Sequence, residues 1–167
     1  MRDVILGIDP GTTGMGYAFL DVSREPPSVL DRGIIATLPG STAAEKLLAI
    51  AEALDALIAS WSPRSLAVER LYFNKNVRTA MAVAEARGIA LLCAARAGLA
   101  VAEYTPGEVK LSVTGNGAAD KGQVQRMLAL ILPNEAPVSQ DNVADAVAIA
   151  LTHANRTRLS AALARAT

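Results

Sequence analysis

The 167-residue chain has one cysteine, one histidine and one tryptophan, and aromatic residues make up only 4% of it. A single Cys93 cannot close an intrachain disulfide, and inside Ile89-Ala-Leu-Leu-Cys-Ala94 it reads as a small buried apolar residue. One Cys and one His, His153, exclude a zinc site. No Ser–His–Asp or Cys–His set stands out for nucleophilic catalysis, and His153 reads as a packing or helix-end residue. Arg87, Gly88 and Arg96 interrupt the longest apolar stretches, so none offers the ~18 residues a membrane span needs. The opening Met1-Arg2-Asp3 and the short apolar run to Asp9-Pro10-Gly11 do not read as a secretory signal. These absences predict a cytoplasmic protein in a reducing compartment. What is present in quantity is apolar: 51% of the chain, against 19% charged, enough for a sizeable core.

Net charge is zero, but the charges are unevenly spread. Residues 1–63 carry four basic and eight acidic side chains, residues 64–126 nine and five, and residues 127–167 three of each. Arg70, Lys75 and Arg78 fall close together with no acid among them. Such a stripe either faces a polyanion or is a solvated basic loop.

Val4 to Ile8 is a continuous apolar run ended by Asp-Pro-Gly, the pattern of a central strand buried on both faces. Gly14 to Leu20 reads as its antiparallel partner across a tight turn, and Gly33 to Leu38 as a third strand. Thr42-Ala-Ala-Glu45 is a capping box opening a helix that stops before Pro63. Ser65 to Glu69 is a fourth strand, and its return through a helix favours parallel pairing with an earlier strand. Residues 77–97 form an Ala-rich helix closed by Gly98, and Leu99 to Tyr104 a fifth strand. Ala80, Ala84 and Gly88 share one face of that helix, for packing within the chain or for a subunit interface. A short helix at Pro106–Val113, a loop at Thr114–Ala119 and a helix capped by Asp120 with Gln123 follow. After the loop from Pro133 to Gln140, a last helix spans 141 to about 155. The expectation is one α/β domain over 1–155 with a polar, frayed tail over 156–167.

The chemical signal lies in acids where a fold does not need them. Asp9 ends a buried strand; it is either an Asx-turn residue before Pro-Gly or a carboxylate awaiting a partner. Glu69 ends the apolar strand Leu66-Ala-Val68, as a surface residue or a second site acid. If those strands are parallel neighbours, both acids emerge at the same sheet end, where open α/β sheets place ligands. Asp145 lies beyond the first turn of the last helix, between Ala144 and Ala146. Asp141 and Asn142 share its face, as ligands or as helix-start residues. Three clustered carboxylates repel one another, and a divalent cation removes that cost. Oxygen donors without available His or Cys point to Mg²⁺ or Mn²⁺. Acids from two strands and a helix can hold two such ions ~3.5–4 Å apart, an arrangement that hydrolyses phosphodiesters without a protein nucleophile.

Five segments carry a resemblance. They are Ile5-Leu-Gly-Ile-Asp-Pro-Gly-Thr-Thr-Gly-Met-Gly-Tyr17, Ala67-Val-Glu-Arg-Leu-Tyr-Phe-Asn-Lys-Asn76, Ala84-Glu-Ala-Arg-Gly88, Lys121-Gly-Gln-Val-Gln125 and Ala144-Asp-Ala-Val-Ala-Ile-Ala-Leu-Thr-His153. In this order they resemble the bacterial RuvC Holliday-junction resolvases, from residue 3 to about 155. The resemblance implies a ribonuclease H-like fold. Its mixed five-stranded sheet has strands one to three antiparallel, strands four and five parallel to strand one, and helices on both faces. It implies a homodimeric, metal-dependent endodeoxyribonuclease with two ions per site. Paired nicks would resolve four-way DNA junctions in recombination and repair, leaving 5′-phosphate and 3′-hydroxyl ends. RuvA and RuvB are the implied partners. Asp9, Glu69 and Asp145 match the family's catalytic and metal-binding acids.

The family usually has a further acid or a histidine three residues before the last Asp, where this chain has Asn142. Asn142 is then a weaker ligand, or Asp141 turns in, or one ion is held less tightly. Tyr72 aligns with an aromatic near the junction centre, with Phe73 beside it; each stacks on a base or folds onto the core. Lys110 and Lys121 match basic residues at the DNA and near the site, Lys121 acting with a helix N-terminus on phosphate or standing solvated. Arg70, Lys75 and Arg78 are backbone contacts by charge and position. The rival readings are a catalytically weakened junction-binding protein and a related nuclease acting on RNA. A sugar-kinase-like ATPase, suggested by Asp9-Pro-Gly-Thr-Thr13, would need a second such domain.

Overall fold

The computed structural model describes residues 2–70, 77–133, 135 and 140–166. Its strands are β1 (Val4–Asp9), β2 (Gly14–Asp21), β3 (Ser28–Ala36), β4 (Ser65–Glu69) and β5 (Ala100–Tyr104). They form one sheet in the order β3-β2-β1-β4-β5. β1 pairs antiparallel with β2, β2 antiparallel with β3, and β1–β4 and β4–β5 are parallel. The helices are α1 (Ala43–Trp61), α2 (Val77–Arg96), α3 (Pro106–Thr114), α4 (Lys121–Ile131) and α5 (Asp141–Ala166). This is the mixed five-stranded, ribonuclease H-like sheet that the sequence resemblance implies.

The two-residue period of a strand divides β1 between two cores. Val4, Leu6 and Ile8 pack with Ile50, Leu54 and Ile58 of α1 and with Ala86, Ala90 and Cys93 of α2. Ile5 points the other way, into a core with α3, α4 and α5. Burial pushes the Cys93 thiol up to about 11, so it stays a protonated packing group. The expected capping boxes at Thr42/Glu45 and Asp120/Gln123 are both formed, and a third, Thr105/Glu108, opens α3.

Helix α5 crosses the sheet closer than side chains usually permit. A Cβ on Gly7 would stand 2.2 Å from the Ala146 carbonyl oxygen and 2.8 Å from the Ala150 Cβ. A Cβ on Gly16 would stand 2.0 Å from the Asn142 carbonyl oxygen. Small residues on both sides bring helix and sheet backbones together, with Ala146 and Ala150 fully buried.

The structure departs from the sequence expectations in two places. β3 begins at Ser28, not Gly33, and ends at Ala36. Its polar start is tolerated on an edge strand, whose full length pairs with β2 through a register shift at Phe19/Leu20. Helix α5 does not end near 155; the expected frayed stretch is helical to Ala166. Arg158 anchors it, donating to the carbonyls of Val22 and Arg24 at 3.2 and 3.0 Å and pairing with Glu25 at 2.9 Å.

Gly7→Ala is expected to lower the unfolding free energy by about 1–3 kcal/mol through forced separation of α5 from β1. Urea denaturation with an unchanged slope checks this.

Candidate active site

Strand alternation puts Asp9 two residues past Gly7, on the face covered by α5. In β4, Leu66 and Val68 join the α1/α2 core while Ala67 joins the α5 core, so Glu69 also emerges toward α5. The parallel register Ile8↔Val68 sets the two acids side by side at the same strand ends. Asp145 immediately precedes Ala146, whose carbonyl abuts Gly7. Three distant stretches thus bring these acids within each other's electrostatic reach.

The acids feel each other. Burial first, then the charges of Asp145 and Glu69, raise the Asp9 carboxyl to about 7, with Lys121 opposing. Burial and Asp145 raise Glu69, with Lys110 opposing. Burial raises Asp145, Lys121 lowers it and Asp141 raises it again. Among the described residues, no three His, Cys, Asp or Glu side chains already close around a single ion. The set is a loose, oxygen-only carboxylate cluster, whose chemistry fits hard divalent cations and nothing softer.

The two positions at the start of α5 have separate duties. Asp141 turns toward α4: its Oδ2 pairs with Lys121 Nζ at 3.0 Å, and its Oδ1 accepts from Gln125 Nε2 at 3.3 Å. Asn142 donates Nδ2 to the Gly14 carbonyl at 2.9 Å, tying the first turn of α5 to the start of β2. An aspartate there could not make that donation. The Asn142 amide oxygen takes no part in that bond.

Lys110 and Lys121 stand with Glu69 and Asp145 around a cavity of about 210 Å³ between α3, α4 and α5. Arg70 follows Glu69 directly; its backbone N–H donates to the Tyr104 carbonyl at 2.7 Å and its guanidinium lies 3.8 Å from Glu103. Glu103 also pairs with Arg87 at 2.7 Å, so Arg70 is already partly engaged. Tyr72, Phe73 and Lys75 lie outside the described residues, as does the side chain of Arg78. Ala80 and Ala84 are half-buried and Gly88 is exposed, while Ala86, Ala90 and Ala94 carry the inward packing.

Sequence reasoning did not single out Gln125, which lies one helical turn after Lys121 on the same face. It also missed the chain through His153. His153 Nδ1 meets the Tyr104 hydroxyl at 2.8 Å and Nε2 the Ser65 hydroxyl at 3.1 Å. Burial holds this imidazole below its ordinary value, so it is a neutral link between β4, β5 and α5. Nothing in a lone histidine's spacing announces that role.

A model of the crossover junction endodeoxyribonuclease RuvC matches residues 5–153. The chain belongs to the RuvC family. It is 47% identical over 148 residues to the RuvC of Heliobacterium modesticaldum, covering 89% of this chain and 91% of that one. It is 46% identical over 152 residues to the RuvC of Moorella thermoacetica, covering 91% of each. Among solved structures, Thermus thermophilus RuvC in complex with Holliday junction substrate superposes with a TM-score of 0.89 at 33% identity, covering 95% of this chain and 96% of that one. The yeast mitochondrial Holliday junction resolvase shares the fold, with a TM-score of 0.64 at 14% identity over 91% of this chain and 79% of that one. Within the family frame, the Asp9, Glu69 and Asp145 cluster sits in the matched region.

The folded chain keeps a proton on Asp9 at pH values where the unfolded chain, at 3.8, has lost it. Stability of the metal-free protein therefore falls as pH rises from about 4 to about 7. Asp9→Asn is expected to raise the unfolding free energy by about 1–2 kcal/mol near pH 8 in chelator, a gain that vanishes near pH 4. Asp145→Asn is expected to be as stable as the parent or slightly more so. Denaturant titrations at the two pH values check both.

Proposed function

We propose that this chain resolves four-way DNA junctions by paired, symmetric hydrolytic nicks that leave 5′-phosphate and 3′-hydroxyl ends. The observation that carries this is the convergence of Asp9, Glu69 and Asp145 beside Lys110 and Lys121. Nucleases of the family are metal-dependent, and two Mg²⁺ or Mn²⁺ ions would activate water and neutralise charge on the phosphate and the departing 3′ oxygen. Asp9, Glu69 and Asp145 would hold the ions, with the Asn142 amide oxygen as a further donor. Asn142 is favoured over Asp141 because both Asp141 oxygens are held by Lys121 and Gln125. Lys110 and Lys121 draw the scissile phosphate toward the acids, and Lys121, at the first turn of α4, adds to that helix's N-terminal field.

A junction needs two matched cuts, and a two-fold homodimer supplies two equivalent sites. The α2 face of Ala80, Ala84 and Gly88 is the proposed contact. A Cβ on Gly88 would meet nothing within 4 Å, and Met81 and Leu92 on the same side are exposed. Tyr72 and Phe73 would stack on bases at the branch point, with Arg70, Lys75 and Arg78 on the backbone. The proposed partners are RuvA and RuvB, in the cytoplasm with the DNA.

A synthetic four-way DNA junction should be nicked symmetrically by the parent in Mg²⁺ or Mn²⁺, with nicks that ligase seals. Asp9→Asn and Asp145→Asn should cut at least about 10³-fold more slowly while binding the junction within about threefold. Binding without cutting by the parent in both metals would refute the nuclease reading. Asn142→Asp should lower the metal concentration for half-maximal cutting yet cost about 1 kcal/mol of stability through the lost bond to Gly14. Gly88→Glu should convert a dimer to a monomer in analytical ultracentrifugation, with the thermal midpoint unmoved.

A further inference from the structure

Helix α5 lies on the sheet through residues that do little to hold it in register. Ala144, Ala146, Ala148, Ala150 and Ala154 are all buried in the core beneath it, and Gly7 and Gly16 leave the opposing backbone bare. Low ridges of this kind resist sliding and pivoting less than interdigitated large side chains do. A slip of one residue would carry Asp145 about 1.5 Å along the helix axis. The ligands of a bound metal ion must stand within about 0.2 Å of their places. Small-residue packing therefore brings α5 close to the strands but does not by itself deliver Asp145 to an ion held with Asp9 and Glu69.

Directional bonds supply what that packing lacks. Two polar side chains of α5, Thr152 and His153, are buried. Thr152 turns its hydroxyl back onto the Ala148 carbonyl at 2.8 Å, inside the helix. His153 reaches off the helix, one ring nitrogen to the Tyr104 hydroxyl on β5 and the other to the Ser65 hydroxyl on β4. A neutral imidazole donates at one nitrogen and accepts at the other, so the three buried groups are satisfied together. Asn142, about three turns earlier on the same face, is pinned to Gly14 on β2. The two pins stand on opposite sides of β1 in the strand order, and Asp145 lies between them on the helix. Ser65 opens the strand that Glu69 ends, and Tyr104 is the register partner of Glu69 on β5. His153 thus joins the helix of one acid to the strand of another. Resting on the metal-dependent nuclease reading above, we infer that His153 is a positioning residue, which through Ser65 and Tyr104 fixes the register of α5 on β4 and β5 and so sets how tightly Asp9, Glu69 and Asp145 hold a divalent cation. It touches neither the ion nor the DNA. A fully bonded polar chain specifies one orientation of helix on sheet, where apolar contact of the same volume admits several.

The test separates stability from register. His153→Leu leaves the Tyr104 and Ser65 hydroxyls buried and unpaired, which costs stability whatever else the chain does. The triple variant Ser65→Ala/Tyr104→Phe/His153→Leu removes every polar group of the chain, so its urea midpoint in chelator should return most of the way to the parent's. Mn²⁺ binding to the free protein is read from the electron paramagnetic resonance of unbound Mn²⁺. Both variants should bind Mn²⁺ about tenfold more weakly, the usual cost of losing a group that holds a ligand in place. At saturating Mn²⁺ they should cut a four-way junction within about threefold of the parent's rate, because the defect lies in affinity and not in the chemical step. His153→Gln, which keeps a donor and an acceptor, should bind Mn²⁺ about threefold more weakly than the parent, between the two extremes. A triple variant with a near-parental urea midpoint and parental Mn²⁺ affinity overturns the inference. If neither leucine variant folds, parental Mn²⁺ affinity in His153→Gln overturns it. A parent that binds no Mn²⁺ removes the metal-dependent reading and this inference with it, whereas parental binding by the triple variant removes this inference alone.

Discussion

Everything at the site depends on how closely one helix lies on one strand pair. Gly7 and Gly16 leave room for the carbonyls of Ala146 and Asn142 almost against the sheet backbone. Asp145 sits between those two contact points on α5, so its height above Asp9 is set by backbone and not by flexible side chains. The Asn142 amide fastens the helix start to Gly14, and the Tyr104–His153–Ser65 chain fastens it three turns further along. A separation larger by one methyl group would carry Asp145 away from both strand acids. The carboxylates could then relax into water, and the elevated proton affinity that marks the cluster would be lost.

Much of this was legible before any coordinates. The alternation in β1 and β4 is enough to place Asp9 and Glu69 on one face at one sheet end, once the parallel pairing is granted. The capping boxes at Thr42 and Asp120 were readable because they are local chemistry over four residues. What stayed hidden was long-range. The extension of α5 beyond 155 rests on Arg158 reaching carbonyls in the β2–β3 connection, 134 and 136 positions earlier in the chain. The early start of β3 rests on pairing along β2 that overrides a polar composition. Asp141 and Asn142 could not be told apart by helix spacing, since both share a face with Asp145; their partners on α4 and β2 separate them.

The electrostatic design trades stability for readiness. Three half-buried carboxylates lie within each other's reach, and Asp9 remains raised to about 7, first by burial and then by the charges of Asp145 and Glu69, with Lys121 opposing. An amide at position 142 removes one further negative charge from the cluster while giving α5 an anchor that does not depend on bound ions. The frame of the site is therefore held by hydrogen bonds and close backbone packing, and its ligands are not required to hold it. A divalent cation approaching alone meets the acids' attraction and the lysines' repulsion together. Accompanied by a phosphate, it meets lysines that attract its companion. In the proposed reaction, the same charges that would weaken the hold on a lone ion would strengthen the hold on an ion delivered with its substrate.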